Sequence, residues 1–411
     1  MKRPVPARAV VAALLVALAV PAAAGSTPRA SLQQRLAQAL RVVHVSPAAS
    51  GAVVVDLATG RTVFATNPTL PLLPASNEKL AVTYAALTAL GPAFRIETDV
   101  LGRGAQDGSV WHGDLVLKGY GDPTLSRADL VSLARQVAAA GIARVTGGVV
   151  GDESWFDAYR TAPGWKSTFY LTESPPLSAL IVDRGWNGYR EERKPALAAA
   201  QLFRKALSRA GVRVAGPARV GTAAEDDQLL ADVESAPVAA LVRFMDRNSD
   251  NFTAEMLLKE VGAVHRHHGT TAAGLRVTAG LLRAAGVPMR GVRMVDGSGL
   301  SLLDRWTPTA IVALLRAMWE DPGVRPELLH ALPVAGENGT LVHRMRTGPA
   351  RGVVRAKTGS TDNASALSGF VGDRYAFSVL ENGWPVWTTS AEASQDSFAG
   401  VLAASGLGLS G

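Results

Sequence analysis

Apolar residues recur every three or four positions near the start of the chain. Leu32, Leu36, Leu40 and Val43 share one face of a helix predicted over residues 31–42. Residues 52–56 and 61–66 are strand-like runs around the turn Ala58-Thr59-Gly60, which predicts a hairpin. From Ser76 the period returns to that of a helix: Leu80, Tyr84, Leu87 and Leu90 form a stripe that Gly91-Pro92 terminates. Further helices are predicted over residues 237–245 and 252–263, strands over 353–358, 367–371 and 375–380, and a closing helix over 391–403. Polar residues 360–365 are read as the turn between the first two of those strands.

The stretch from residue 94 to 238 has a different texture. Short strand-like pieces (114–117 and 144–150) and helical stretches (126–140 and 195–210) alternate with Gly and Pro turns. It reads as one or more inserted domains between residues 25–93 and 239–411, which together form the main domain. Helix, hairpin, long excursion, helices, antiparallel strands and a final helix predict an α+β fold.

Composition narrows the setting. Lys2, Arg3 and Arg8 precede an unbroken apolar run over residues 9–20, and Ala22-Ala23-Ala24 follows, so residues 1–24 read as an export leader. The chain has no Cys, which excludes disulfides and a lipid-modified cysteine. Loss of Lys2, Arg3 and Arg8 takes the formal charge from +7 to +4. That is a mildly basic surface without a nucleic-acid footprint. An apolar fraction of 47% suffices for a sizeable core. The expected location is the periplasm or cell-wall space outside the cytoplasmic membrane.

Three short motifs carry candidate chemistry: Ser76-Asn77-Glu78-Lys79, Ser249-Asp250-Asn251 and Lys357-Thr358-Gly359. Ser76 and Lys79 are three residues apart at a predicted helix start, so they share a face. A serine hydroxyl needs an adjacent base. Lysine can be that base if burial or a second cation depresses its pKa, and Lys357 can supply the cation. Ser249 and Asn251 alternate on a connection between two helices. Their expected roles are proton relay to the leaving amine and recognition of a substrate amide. Lys357 and Thr358, on an edge strand, can receive a carboxylate, with Gly359 letting the ligand approach the backbone. The amides of Ser76 and Ser360 are the expected oxyanion hole. Each motif alone also suits an ordinary helix cap or turn.

Competing constellations are poorer. His265, His267 and His268 close a predicted helix without spaced carboxylate or Cys partners, so no metal or other cofactor is expected. Gly297-Ser298-Gly299 lacks the spacing of a nucleophile elbow.

The order S-x-x-K, S-x-N, K-T-G resembles that of penicillin-binding proteins and serine β-lactamases. With Gly121-Asp122-Pro123-Thr124-Leu125, Asp296-Gly297-Ser298-Gly299-Leu300-Ser301, Gly339-Thr340-Leu341 and Ala366-Leu367-Ser368-Gly369-Phe370, the chain resembles class C low-molecular-mass penicillin-binding proteins. These are the D-alanyl-D-alanine carboxypeptidase/endopeptidases of peptidase family S13. Their K-T-G is usually followed by Thr and an apolar residue; here Ser360 and Thr361 stand there, and Ser360 keeps the hydroxyl and the amide. The resemblance implies cleavage of peptidoglycan stem peptides ending in D-Ala-D-Ala through a Ser76 acyl-enzyme. β-Lactams would act as inhibitors that acylate Ser76. A serine β-lactamase would need fast deacylation, for which no positioned Glu is evident, and a non-catalytic wall-binding protein would not need intact motifs.

Overall fold

The structure is a computed structural model and describes residues 1, 2, 4, 30–186 and 192–406. The expected leader, residues 1–24, lies almost wholly outside the described residues. Every element belongs to one compact unit, Leu32–Gly411.

The first helix, α1, is shorter than its apolar pattern predicts (Leu32–Ala39), with Leu36 and Ala39 buried. The hairpin follows as β1 (Ser50–Asp56) and β2 (Thr62–Thr66). Its turn is held by Asp56 Oδ1, which accepts from the amide and hydroxyl of Thr59 at 3.0 and 2.9 Å. The predicted helix over 76–90 is three different pieces. Ala75–Glu78 is a 3-10 turn, α2 is Lys79–Ala85, and Ala86–Leu90 is a π turn ended by Gly91 at φ 90°. The spacing that makes a helical stripe does not distinguish these three windings.

Next come β3 (Glu97–Asp107), β4 (Val110–Gly119), α3 (Arg127–Ala139), β5 (Arg144–Val145) and β6 (Val149–Asp152). The run over 144–150 is therefore two short strands. They part at Gly147, where a Cβ would lie 2.4 Å from the Gly113 carbonyl oxygen. A distorted turn, α4 (Phe169–Thr172), leads to α5 (Pro195–Arg209), β7 (Arg213–Val214), β8 (Ala218–Val220) and β9 (Gln228–Glu234). Among these, β3 pairs antiparallel with β4 and β9, whereas β4 pairs parallel with β5 and β6. Helices α3 and α5 cover this second sheet through Leu130, Leu133, Ala199 and Phe203.

The chain then winds through α6 (Val238–Asn248), α7 (Asn251–Arg266), α8 (Thr271–Ala284), α9 (Pro308–Glu320) and α10 (Arg325–Ala331). Asp250, Thr270 and Thr307 cap α7, α8 and α9 through their side-chain oxygens. It closes with β10 (Val354–Thr361), β11 (Ala364–Val371), β12 (Tyr375–Asn382) and α11 (Thr388–Gly406). The turn expected over 360–365 is tighter than that: Thr361 pairs with Ala364, leaving only Asp362 and Asn363 between the strands.

The first sheet has the order β10-β11-β12-β1-β2, all antiparallel, so its last strand pairs with its first. Ser50 lies opposite Glu381 and Asp56 opposite Tyr375. Both faces are covered. Val53, Val55, Ala366 and Phe370 pack with Leu257, Ile311 and Leu315 on one side. Ala52, Val54, Leu367 and Val371 pack with Leu36, Phe398 and Leu402 on the other. That double burial fits the unbroken apolar run over residues 51–55 of β1. The fold is α+β, and none of the described helices is long and apolar enough to cross a membrane.

Candidate active site

Strand β10 is the edge of the first sheet, and the 3-10 turn at Ala75–Glu78 lies against it. Ala75 has φ 46°, a left-handed conformation costly for a residue with a Cβ. The Asn77 side chain anchors the turn by donating from Nδ2 to the Lys357 carbonyl at 3.1 Å. Glu78 is buried behind it and accepts from Trp306 Nε1 at 2.6 Å. These contacts hold Ser76 at the mouth of the turn, partly exposed.

Lys79 is fully buried and donates from Nζ to three oxygens: Ser76 Oγ at 2.9 Å, Asn251 Oδ1 at 2.8 Å and the Ser298 carbonyl at 2.6 Å. Burial lowers its pKa to about 8, against the opposing pull of Asp296, Asp250, Glu255 and Asp246. Lys357 is also fully buried. Its Nζ donates to Ser249 Oγ at 2.8 Å and to the Thr358 carbonyl at 3.0 Å. Burial, and after it the positive charge of Lys79, push Lys357 below the usual lysine range. Two lysine amino groups thus face one cleft, each on a serine hydroxyl.

Five of the eight residues expected from the motifs meet directly: Ser76 with Lys79, Lys79 with Asn251, and Ser249 with Lys357. Thr358 Oγ1 lies 2.7 Å from Thr340 Oγ1. Ser360 is exposed on the same strand, opposite Ser365. Gly359 also allows a close approach within the protein. A Cβ there would lie 3.0 Å from Ala75 Cβ, Pro74 O and Ser76 N, so the missing side chain lets the turn that carries Ser76 approach the strand. Asn251 is engaged at both ends of its amide, since Nδ2 donates to the Glu173 carbonyl at 3.0 Å.

Several partners are absent from the motifs. The Ser298 carbonyl is aimed at Lys79 by Glu255, whose Oε1 accepts from the amides of Gly297 and Ser298 at 2.9 and 2.8 Å. Burial and then Asp296 raise Glu255 to about 8. Asp296 accepts from the amides of Gly299 and Ser301, each at 2.8 Å. The Ser298 hydroxyl is buried against Asp296 at 3.1 Å, away from any nucleophilic use. The run Asp296-Gly297-Ser298-Gly299-Leu300-Ser301 stands out in the sequence as a signature, but nothing in residue identity shows that it serves Lys79. The second-sheet segment reaches the rim as well: Lys166 pairs with Asp362 at 2.8 Å and Trp165 Nε1 donates to Asp296 at 2.7 Å.

Other clusters lie elsewhere. The His265 ring nitrogen meets the Ala89 carbonyl at 2.9 Å, and His267 is the left-handed cap of α7. Among the described residues, no group of His, Cys, Asp and Glu is arranged to hold a metal ion. A groove of about 510 Å³ between α3 and α5, lined by Arg127, Lys205 and Arg209, contains none of the motif residues.

This arrangement is a serine whose proton can pass to a buried lysine of lowered pKa, beside a second lysine–serine pair and an edge strand. The model of the D-Ala-D-Ala carboxypeptidase 3 (S13) family matches residues 32–190 and 188–405. The chain is 34% identical to a D-alanyl-D-alanine carboxypeptidase of Actinomadura sp. (strain R39), covering 82% of this chain and 78% of that one. It is 32% identical to a carboxypeptidase of Mycobacterium tuberculosis, covering 90% and 82%. Penicillin-binding protein 4 of Haemophilus influenzae has the same fold, with a TM-score of 0.80 at 22% identity over 89% of this chain and 97% of that one. The chain therefore belongs to the D-Ala-D-Ala carboxypeptidase 3 (S13) family.

Proposed function

We propose that the protein is a serine D-Ala-D-Ala carboxypeptidase acting on peptidoglycan stem peptides outside the cytoplasmic membrane, after removal of the leader. The observation that carries this reading is the 2.9 Å contact between Lys79 Nζ and Ser76 Oγ, with the Lys357–Ser249 pair across the same cleft.

Neutral Lys79 takes the Ser76 proton as Oγ attacks the carbonyl of the penultimate D-Ala. The amides of Ser76 and Ser360 stabilise the resulting oxyanion. Lys357 and Thr358 hold the terminal carboxylate. A carboxylate there favours ammonium at Lys357, and that charge favours the neutral form of Lys79. Ser249, beside Lys357, hands its proton to the leaving amine and is reprotonated with the proton that Lys79 took from Ser76, so Lys79 is neutral again and D-Ala departs. Asn251 keeps Lys79 aimed at Ser76, a role supported by its 2.8 Å contact with Nζ. Water then adds to the ester with neutral Lys79 taking its proton, and return of that proton to Ser76 Oγ on collapse restores the serine and frees the shortened peptide. Cleavage of a D,D cross-link would use the same steps with a side-chain amine as leaving group. β-Lactams would enter the first step and stay attached.

The test is intact-mass spectrometry after incubation with benzylpenicillin, together with D-alanine release from a stem-peptide analogue. Wild type should gain one acyl adduct and release D-alanine, and Ser76→Ala should do neither. A folded wild type without either reaction would overturn the reading.

A further inference from the structure

The acyl-transfer chemistry uses the first and third residues of Ser249-Asp250-Asn251 and assigns nothing to the middle one. We infer that Arg184, from the second-sheet segment, is a positioning residue for acylation, acting through Asp250 on the turn that carries Ser249 and Asn251. The inference rests on the acyl-transfer reading of Ser76 and Lys79.

Arg184 Nη2 donates to Asp250 Oδ2 at 2.6 Å, and the guanidinium lies over the Phe252 ring, 4.7 Å from its centroid. Asp250 Oδ1 accepts from the Thr253 amide at 2.7 Å, capping α7. Both oxygens of Asp250 are therefore committed, one to its own helix and one to a distant segment. The pair is partly desolvated, with side-chain exposures of 33% for Arg184 and 17% for Asp250, so its geometry is better held than that of a surface ion pair.

The backbone on both sides of this contact is strained. Asp183, Arg184 and Gly185 have φ of 48°, 56° and 74°, and Ser249 has φ 55°. Residues with a Cβ resist this region, and such conformations persist where their surroundings over-determine them. Asp183 is held by the Arg127 guanidinium at 3.2 Å, and its amide donates to the Leu125 carbonyl at 2.8 Å. That turn presents Arg184 to Asp250. Beyond Asp250, Ser249 Oγ and Asn251 Oδ1 receive the two lysines, each at 2.8 Å. The Glu173 carbonyl braces Asn251 from the same segment.

The contact also has an electrostatic reading. Asp296 and Asp250, and Glu255 and Asp246 when ionised, face Lys79 with negative charge, and Lys357 when protonated faces it with positive charge. Arg184 neutralises Asp250. Removing the arginine leaves Asp250 free to favour the ammonium of Lys79, whereas removing the aspartate charge favours the amine. A residue that only stabilised the fold would not move Lys79 in opposite directions.

The test compares full-length Arg184→Ala, Arg184→Lys, Asp250→Asn and the double variant Arg184→Ala/Asp250→Asn with wild type. The 13Cε resonance of Lys79, in protein labelled at its eight lysines, is titrated with pH and needs no turnover. Arg184→Ala should raise the Lys79 pKa by about half a unit and Asp250→Asn should lower it comparably. The double variant should fall between them, and Arg184→Lys should restore the wild-type value. At pH 7, Arg184→Ala should acylate with benzylpenicillin about tenfold more slowly, with Arg184→Lys recovering most of the rate. If neither single variant moves Lys79, or both move it the same way, the inference is wrong. A wild type that is not acylated at all would instead remove the functional reading, and the lysine titration would still decide whether Arg184 acts through Asp250.

Discussion

The Asn77 side chain donates to the Lys357 carbonyl at 3.1 Å, which ties the turn bearing Ser76 to the strand bearing Lys357. Asn77 is 2% exposed, so truncation would leave that carbonyl short of a partner in a dry site. Asn77→Ala should cost about 1–3 kcal/mol of stability. It should also slow Ser76 acylation, because the two elements lose their direct tie. Urea unfolding and penicillin acylation, measured on the same preparation, check both effects.

Gly359 makes the complementary prediction. In Gly359→Ala the new Cβ would press on Ala75 Cβ, Pro74 O and Ser76 N, each at 3.0 Å. The strand and the turn must then separate by a few tenths of an ångström. Acylation should fall about a hundredfold, since small displacements of reacting groups are expensive. Stability should fall by only about 1–2 kcal/mol, the usual cost of mild overpacking. A variant that acylates at the wild-type rate would show that the close approach is irrelevant to Ser76.

The lowered pKa of Lys79 fixes a sign for the pH dependence. As the proposed base it must be neutral, so acylation at low penicillin concentration should rise with pH and level off above about 8. Below that value the rate should fall about tenfold per pH unit, the behaviour of a single required deprotonation. Lys79→Arg cannot supply a neutral base and should be inactive at every pH. Stopped acylation reactions between pH 5 and 10 would reveal the limb.

Stability has its own pH dependence, with the opposite slope. Glu260 is buried and accepts from Trp155 Nε1 at 2.8 Å, and burial raises its pKa to about 8. Because the folded value lies above the unfolded one, the folded state holds a proton that the unfolded state releases between about pH 4.5 and 8. The favourable contribution of neutral Glu260 is complete below that window and is lost as pH rises through it. Glu260→Gln should therefore match wild type at pH 5 and exceed it at pH 8.5 by on the order of 2 kcal/mol. Equal differences at the two pH values, read from denaturant melts, would contradict the assignment.

Much of this site could be read from spacing. Ser76 and Lys79 sit three residues apart on one face, Ser249 and Asn251 flank a helix junction, and Lys357 lies on an edge strand. Local rules govern each of those placements. The α+β class followed in the same way from alternation and helical stripes. What escaped was long-range. Asn251 meets Glu173 and Lys79 meets the Ser298 carbonyl through contacts that bridge separate elements, and backbone carbonyls leave no trace in residue identity. The 3-10 start at Ala75 escaped because apolar periodicity is blind to winding. The ends of α1 and the tight Asp362-Asn363 turn differ from expectation for a similar reason, since tertiary packing moves boundaries by a few residues.

The pairing of β1 with β12 has a bearing on when this site can exist. Ser76 is made early and Lys357 late, and the strand that closes the sheet on β1 begins only at Tyr375. Contacts of such long sequence separation form slowly and close together. A growing chain, or a fragment that ends before Val354, carries Ser76 without the strand that bears Lys357. The complete set of groups around Ser76 is therefore a property of the finished polypeptide.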